Sequence, residues 1–408
     1  MKYLDICGIL WRKAYFRKKV NLMILIKNGK ILTMEGKTYE SGSILIDNGK
    51  ILNVDEHITA PEGTEIIDAK GMVVMPGIID AHCHLGMWED SMGFEGSDGN
   101  EMTNPITPEL RAIDGINPMD VNFKEAYEAG VTTVMTGPGS ANVIGGQFAV
   151  IKTYGKRIDD MIVKAPAAVK IAFGENPKRV YHSKGKTPET RMGTAGLLRE
   201  TLTKAKNYME KKKKLQDNPD KMPDVDFKLE ALIPVLNKEI PLKAHAHRAD
   251  DIFTALRIAK EFDVNITLDH VTEGHLIVEE LKKENVSLIV GPSFGERSKI
   301  ELKEKTFKTA GVLSNAGIKI AIMTDHPVIP LQHLSMCAAY AVKYGMKEEE
   351  ALKAITINAA EIIGVSDRVG SIKANKDADI VIFDGNPLDL MTKAMYVLID
   401  GKVVYKNE

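Results

Sequence analysis

Eight short apolar runs, set at intervals through the middle of the chain and separated by helical patterns, constrain the fold more than any other feature. They are VVMPGIID (73–80), VTTVMTG (131–137), FAVIK (148–152), VKIAF (169–173), LKAHAH (242–247), NITLDH (265–270), SLIVG (287–291) and IKIAIMT (318–324). Runs of this length suit strands buried on both faces, although period alone does not separate them from buried helix segments. FAVIK carries the weakest strand pattern. Eight is the count that a closed (β/α)8 TIM-like barrel needs, and residues 76–369 are long enough to hold one. The 44% of apolar residues is enough to fill such a core.

The flanks read differently. Residues 23–75 alternate apolar and polar over short stretches, with Asn28-Gly29 and Asn48-Gly49 as hairpin turns. A similar pattern returns in 370–408, in SIKANKDADIVIFDG and AMYVLIDGKVVYKNE. Neither end has enough strands to bury a face alone, so the two are expected to join as one composite β-sandwich, with the barrel inserted between its halves. Residues 1–22 stand apart as an N-terminal extension, apolar first and basic later, the reverse of a signal peptide. They read as an extra surface helix or an over-long start before Met23, with a membrane-surface helix as a weaker idea.

Charge and cysteine content exclude several classes. Lys plus Arg (54) nearly balance Asp plus Glu (56), so nothing points to a nucleic-acid or anionic-membrane surface. No apolar stretch is long enough to span a bilayer. Cys7, Cys83 and Cys337 are too few and too scattered for a disulfide framework, and the chain reads as cytoplasmic. The Lys-rich stretch 204–214 reads as a solvated helix end, within a long excursion, 174–240, that sits where a lid could form.

Polar residues gather at the ends of the runs. His82 and His84 follow the first, Lys170 lies in the fourth, His245 and His247 end the fifth, His270 ends the sixth and Asp325 follows the eighth. Barrel enzymes draw their catalytic groups from the C-terminal ends of several strands. Imidazole and carboxylate are ligands for zinc, iron or manganese. On an extended segment His82 and His84 share one face and Cys83 points to the other. A pair like this is weak alone; four strand ends in agreement are not.

PGIIDAHCHLG (76–86), KAHAHRADDI (243–252), LDHVTEGH (268–275), IMTDHP (322–327), ITINAAEIIG and GSIKANKDADIVIFDGNP together resemble the motifs of the amidohydrolase superfamily, nearest its imidazolonepropionase-related branch, which also holds prolidase-like dipeptidases. One departure is small: the usual Pro-Gly turn before Lys-x-Ala-Asp is Ala374-Asn375 here. The resemblance covers nearly all of Met23 to Glu408 and implies a metal-bearing barrel with a composite sandwich. It implies His82, His84, His245, His270 and Asp325 as metal ligands, with His247 as a neighbour that contacts substrate or orients a ligand. Lys170 looks like the lysine that is carboxylated and bridges two metals; an ordinary salt-bridged lysine there would leave one. The cofactor is then one or two divalent ions, zinc first, with manganese or iron as alternatives. The resemblance also implies a homo-oligomer.

The chemistry expected is hydrolysis of a non-peptide C–N bond, as in a cyclic amide. A divalent ion acidifies a bound water, and Asp325 takes its proton and passes it to the leaving nitrogen. Candidate substrate contacts on loops are Arg111, Asn142, Glu175, Arg191, Glu273, His275 and Arg297, whose arginines would suit a small carboxylated substrate. Each could equally be a local salt bridge or cap. His326 adjoins Asp325 and is a candidate for the pocket wall. A prolidase-like metallodipeptidase is the alternative, a deaminase or isomerase stays open, and a non-catalytic assembly barrel would require missing ligands.

Overall fold

The computed structural model describes residues 23–407, so the expectation for residues 1–22 lies outside the described residues. Five strands open the chain: β1 (Ile24–Leu32), β2 (Thr38–Asp47), β3 (Lys50–Asp55), β4 (Glu65–Asp68) and β5 (Val73–Pro76). Eight follow in the middle: β6 (Ile78–Cys83), β7 (Val131–Thr136), β8 (Ile144–Lys152), β9 (Ile162–Ala172), β10 (Leu242–Ala246), β11 (Ile266–His270), β12 (Ser287–Val290) and β13 (Ile320–Ile322). Three close the chain: β14 (Ile380–Phe383), β15 (Ala394–Ile399) and β16 (Lys402–Lys406).

The terminal strands form one sheet in the order β16-β15-β14-β5-β1-β2-β3, with β4 beside β1. The two ends of the chain meet where β14 pairs with β5. Ile26, Ile31, Ile44, Ile380, Ile382 and Leu398 are fully buried in the core that these strands share. Asn48-Gly49 makes the β2–β3 hairpin, with both residues at positive φ (52° and 79°). Asn28-Gly29 does not make a hairpin. It is a bulge inside β1 that lets the strand pair with β4 before it and β5 after it. A Cβ on Gly29 would lie 2.6 Å from Val74 Cγ2, so the bulge packs too closely for a side chain.

Gly77 alone separates β5 from β6 and carries the chain from sandwich to barrel. All eight apolar runs form strands, hydrogen-bonded in sequence order from β6 to β13. Seven run parallel. The exception is β8, antiparallel to both β7 and β9. Its connections, 137–143 and 153–161, are too short to return the chain by a crossover helix, so the strand must run back. The two ends of the sheet are tied by Asp80 Oδ2, which accepts from Thr324 N at 2.9 Å and Thr324 Oγ1 at 2.6 Å. His84 N donates to His326 O across the same seam at 2.9 Å.

Helices follow the parallel strands. Ala249–Phe262 buries Ile252, Ala255, Leu256, Ile258 and Ala259 along one stripe, starts with Asp250 and Asp251 in its first turn, and stops at Asp263 in the left-handed region. Arg191–Leu215 opens on a Thr190 cap and buries Leu198, Leu202 and Ala205, while its last turns carry the solvated lysines. Among the described residues no helix is long and apolar enough to cross a membrane.

Candidate metal centre

The side chains that end β6, β10 and β11 meet with Asp325 at one mouth of the barrel. Regular alternation would not aim them all inward. His270 (φ 74°), Val271 (φ 50°) and Asp325 (φ 55°) adopt the left-handed region, which a non-glycine residue rarely enters, so the chain turns sharply at the end of β11 and after β13. The result is two groups that share His270. His82, His270 and Asp325 form one, and His245, His247 and His270 the other, with ligand atoms within 4.8 Å of one another in each. His84 joins the first, its Nε2 3.2 Å from Asp325 Oδ1.

Three of the rings are held from behind. His84 Nδ1 bonds Gly137 O at 2.7 Å, His270 Nδ1 bonds Gly291 O at 2.9 Å, and His247 Nδ1 bonds Thr272 Oγ1 at 2.7 Å. His82 Nδ1 differs: it lies 3.1 Å from Asp269 Oδ2, close enough for an ion pair but outside hydrogen-bond geometry. An acceptor behind Nδ1 fixes the proton there and turns the Nε2 lone pair inward. The Nε2 atoms of His82 and His84 then both face Asp325 Oδ1, at 3.2 Å each. Three electron-rich atoms pointing at one another repel unless a proton or a cation sits among them.

Burial argues against the proton. It pushes the His270 imidazole down to about 3, against the pull of Asp325, and lowers His82 as well. His245 and His247 are held well below their ordinary value by burial first and by His270 next. Burial would raise the Asp325 carboxyl, but charge on His270 and hydrogen-bond donation from His82 and His84 outweigh it, so any proton shared by the set rests on an imidazole and the carboxyl is held well below its usual range. Neutral imidazoles around an ionised carboxylate are the donor set of a divalent metal, and the residues present fit one.

Behind this set lies a charged interior in which Lys170 was expected from the sequence and Asp269 and Lys243 were not. Asp269 Oδ2 accepts from Lys170 Nζ at 3.0 Å and Asp269 Oδ1 from Lys243 Nζ at 2.9 Å, with all three side chains almost wholly buried. Lys170 Nζ also lies 3.5 Å from His82 Nε2. Asp269 and Lys243 precede noticed histidines by one and two positions, and that adjacency was the available signal.

In front of the set opens a cavity of about 440 Å³, a size suited to a small molecule. Lys170 and all five predicted ligands line it, as does His247. The other predicted substrate contacts do not. Arg111 makes a two-point pair with Asp114, Arg191 Nε lies 3.0 Å from Asp251 Oδ1, and Arg297 Nη2 donates to Lys305 O. Asn142 is buried against Tyr181 and Thr107, Glu175 opens the helix Glu175–His182, Glu273 accepts from Ala249 N, and His275 bonds Thr309. His326 is buried behind the wall with Nδ1 facing Leu331 N. Partners nearer in the fold have claimed most of these groups, while Glu175 Oε2 and His326 Nε2 are buried without a hydrogen-bond partner among the described residues. The wall is built instead from Trp88, Ser140, Asn176, Phe294, Lys299 and Lys305. From the long excursion only Asn176 reaches it, so that segment contributes one wall residue.

Comparison with known proteins agrees with this architecture. Residues 235–406 match the amidohydrolase family. Amidohydrolase tasK of Hapsidospora irregularis is 31% identical over 396 residues, 90% of this chain, although the chain spans only 40% of that protein's length. An imidazolonepropionase of Thermoplasma volcanium is 24% identical over 395 residues, covering 87% of this chain and 90% of its own. The crystal structure of an amidohydrolase from Thermotoga maritima MSB8 superposes with a TM-score of 0.91 at 46% identity, over 94% of this chain and all of that one. With likeness of that extent in sequence and in fold, this chain belongs to the amidohydrolase family.

Proposed function

We propose that the protein is a metal-dependent hydrolase of a non-peptide C–N bond in a small molecule such as a cyclic amide. The observation that carries this reading is the pair of imidazoles, His82 and His84, whose inner nitrogens face the Asp325 carboxylate. His82, His84, His245, His270 and Asp325 would hold one or two divalent ions, zinc first, with manganese or iron as alternatives. When bound, the ion supplies an acidified water and polarises the scissile carbonyl.

The chain's own groups do the rest. Asp325, ionised and at the cavity floor, accepts the proton of the attacking water and returns it to the leaving nitrogen as the C–N bond breaks. Its backbone is fixed by Thr324, whose hydroxyl and N–H are both held by Asp80. His247 orients the substrate carbonyl from the opposite side, steadied by Thr272. Lys170 is read as a carbamate: once deprotonated, its amine would add to carbon dioxide with loss of a further proton, giving an anionic group beside the candidate ligands. Lys170→Ala should therefore lose most bound metal, and short carboxylic acids should restore part of the activity; full metal content in the variant removes the bridge from the account.

The test of the reaction class is a panel of lactams, cyclic ureides and imidazolones, run beside Xaa-Pro and Xaa-Arg dipeptides on zinc-, manganese- and iron-loaded protein. Ring opening with uptake of one water per turnover, giving a single product that bears a new carboxylate, is the expected result. Cleavage of dipeptides alone would move the assignment to a prolidase-like dipeptidase, and no turnover with any metal would end it. The setting proposed is the cytoplasm, with the protein as a homo-oligomer.

A further inference from the structure

Of the three lysines that line the cavity, two have Nζ tied into the barrel's own structure. Lys170 bonds Asp269, and Lys305 Nζ donates to Phe294 O at 2.8 Å and Glu296 O at 2.9 Å, pinning the loop after β12. Lys299 is different. Its Nζ donates to the neutral Asn176 Oδ1 at 2.7 Å, and the one carboxylate paired with it among the described residues, Glu301, stands 3.8 Å away. Glu301 is itself almost wholly buried, with Oε1 lacking a hydrogen-bond partner among the described residues. Burial pushes that carboxyl upward, which weakens it as a counter-charge. Lys299 keeps a quarter of its side chain exposed, at the cavity wall.

The cavity's own anions do not answer this cation. Asp325 is enclosed by imidazoles, and Glu296 is exposed on the loop that Lys305 pins. Asn176 links Lys299 to the metal centre, because its Nδ2 donates to Ser140 Oγ at 2.8 Å and lies 3.4 Å from His245 Nε2. A group bound to Lys299 therefore sits one amide side chain from a candidate ligand, at a separation that a small bifunctional molecule spans.

We infer that Lys299 binds a carboxylate at the end of the substrate remote from the scissile bond, making the substrate class a small amide that carries a free acid. This inference rests on the proposed hydrolytic reading and names the substrate class of the same site. Lysine acts here as a point charge with free donors rather than a two-point clamp, so it fixes the distance of the acid more than its orientation.

The test has two arms on the full-length protein. In the first, succinate, glutarate and adipate, with their diamides as controls, are titrated calorimetrically into wild type, Lys299→Gln and Lys299→Arg. Glutamine keeps a donor for Asn176 and loses the charge. At least one diacid should bind wild type at least tenfold more tightly than K299Q, with K299R restoring part of the difference and the diamides unaffected. Equal binding of every diacid to wild type and K299Q overturns the inference. In the second arm, any substrate found by the panel is compared with its carboxamide. The acid should be preferred through KM, and the preference should vanish in K299Q. Turnover that ignores both the acid and Lys299 overturns the inference while leaving the hydrolytic reading intact. Lys299-dependent diacid binding without turnover of any substrate does the reverse.

Discussion

The active geometry depends on residues in unusual backbone states. His270 and Asp325 both sit at φ above 50°, a conformation that costs a non-glycine residue free energy and persists only when its surroundings enforce it. Asp and Asn tolerate this region better than most, so Asp325→Asn should fold and keep its backbone turn. Its amide cannot take a proton from water. Turnover should fall by about 10²–10⁴-fold, the range typical of lost general acid–base catalysis, with the melting temperature little changed. Steady-state kinetics beside thermal unfolding checks this, and unchanged turnover would remove Asp325 from the chemistry.

Residue-scale electrostatics also set a pH dependence. The folded pKa of His270 is depressed to about 3, below the ordinary 6.5, so between those values the unfolded chain binds the additional proton. Stability contributed by the neutral imidazole is present above 6.5 and is lost as pH falls toward 3. For metal-stripped protein, His270 alone should lower the unfolding free energy by about 2 kcal/mol between pH 7 and pH 5. Urea titrations at the two pH values measure it, and a flat or opposite trend contradicts the burial argument. The histidines and Asp325 were legible in sequence because each ends an apolar run. Asp269 and Lys243 were not, because charges inside a strand look misplaced until the barrel brings them face to face.

At the scale of elements, the strand count was readable and one strand direction was not. FAVIK lies in β8, but direction depends on the lengths of the connections either side, which the apolar pattern does not report. Asn28-Gly29 carried the same signature as a hairpin turn, yet β1 continues through it, since β4 and β5 present partners that a local reading cannot see. The predicted arginines failed for a related reason. Arg111 has Asp114 three residues on, and a nearby carboxylate competes effectively with an unseen cavity. Gly77, the single residue between β5 and β6, offers a prediction at this scale. A Cβ there would fall 2.0 Å from Thr132 Oγ1, and Thr132 is itself buried. Gly77→Ala should destabilise the protein by about 1–3 kcal/mol, in the range of core overpacking, and Thr132→Ala in the same chain should recover part of it. Chemical denaturation of the single and double variants decides the matter; no destabilisation would mean that the junction yields freely.

Across the whole molecule, sandwich and barrel are tied by a buried charge network. Lys152 on β8 reaches Asp377 at 3.1 Å and Asp379 at 2.6 Å, and Arg368 and Lys50 also hold Asp377. Pairing of β5 with β14 fixes the start of the barrel against the far end of the chain, and the seam between β6 and β13 is closed by Asp80 and Thr324, neighbours of the ligands themselves. The candidate metal site thus forms where the sheet's two ends are joined, and the fold and the site stand together. The most direct measurement is anomalous diffraction from crystals of zinc-reconstituted protein, recorded on both sides of the absorption edge. The account predicts a peak about 2.0–2.2 Å from the inner nitrogens of His82 and His84 and an oxygen of Asp325. A zinc-saturated crystal with no peak among those three side chains would contradict it.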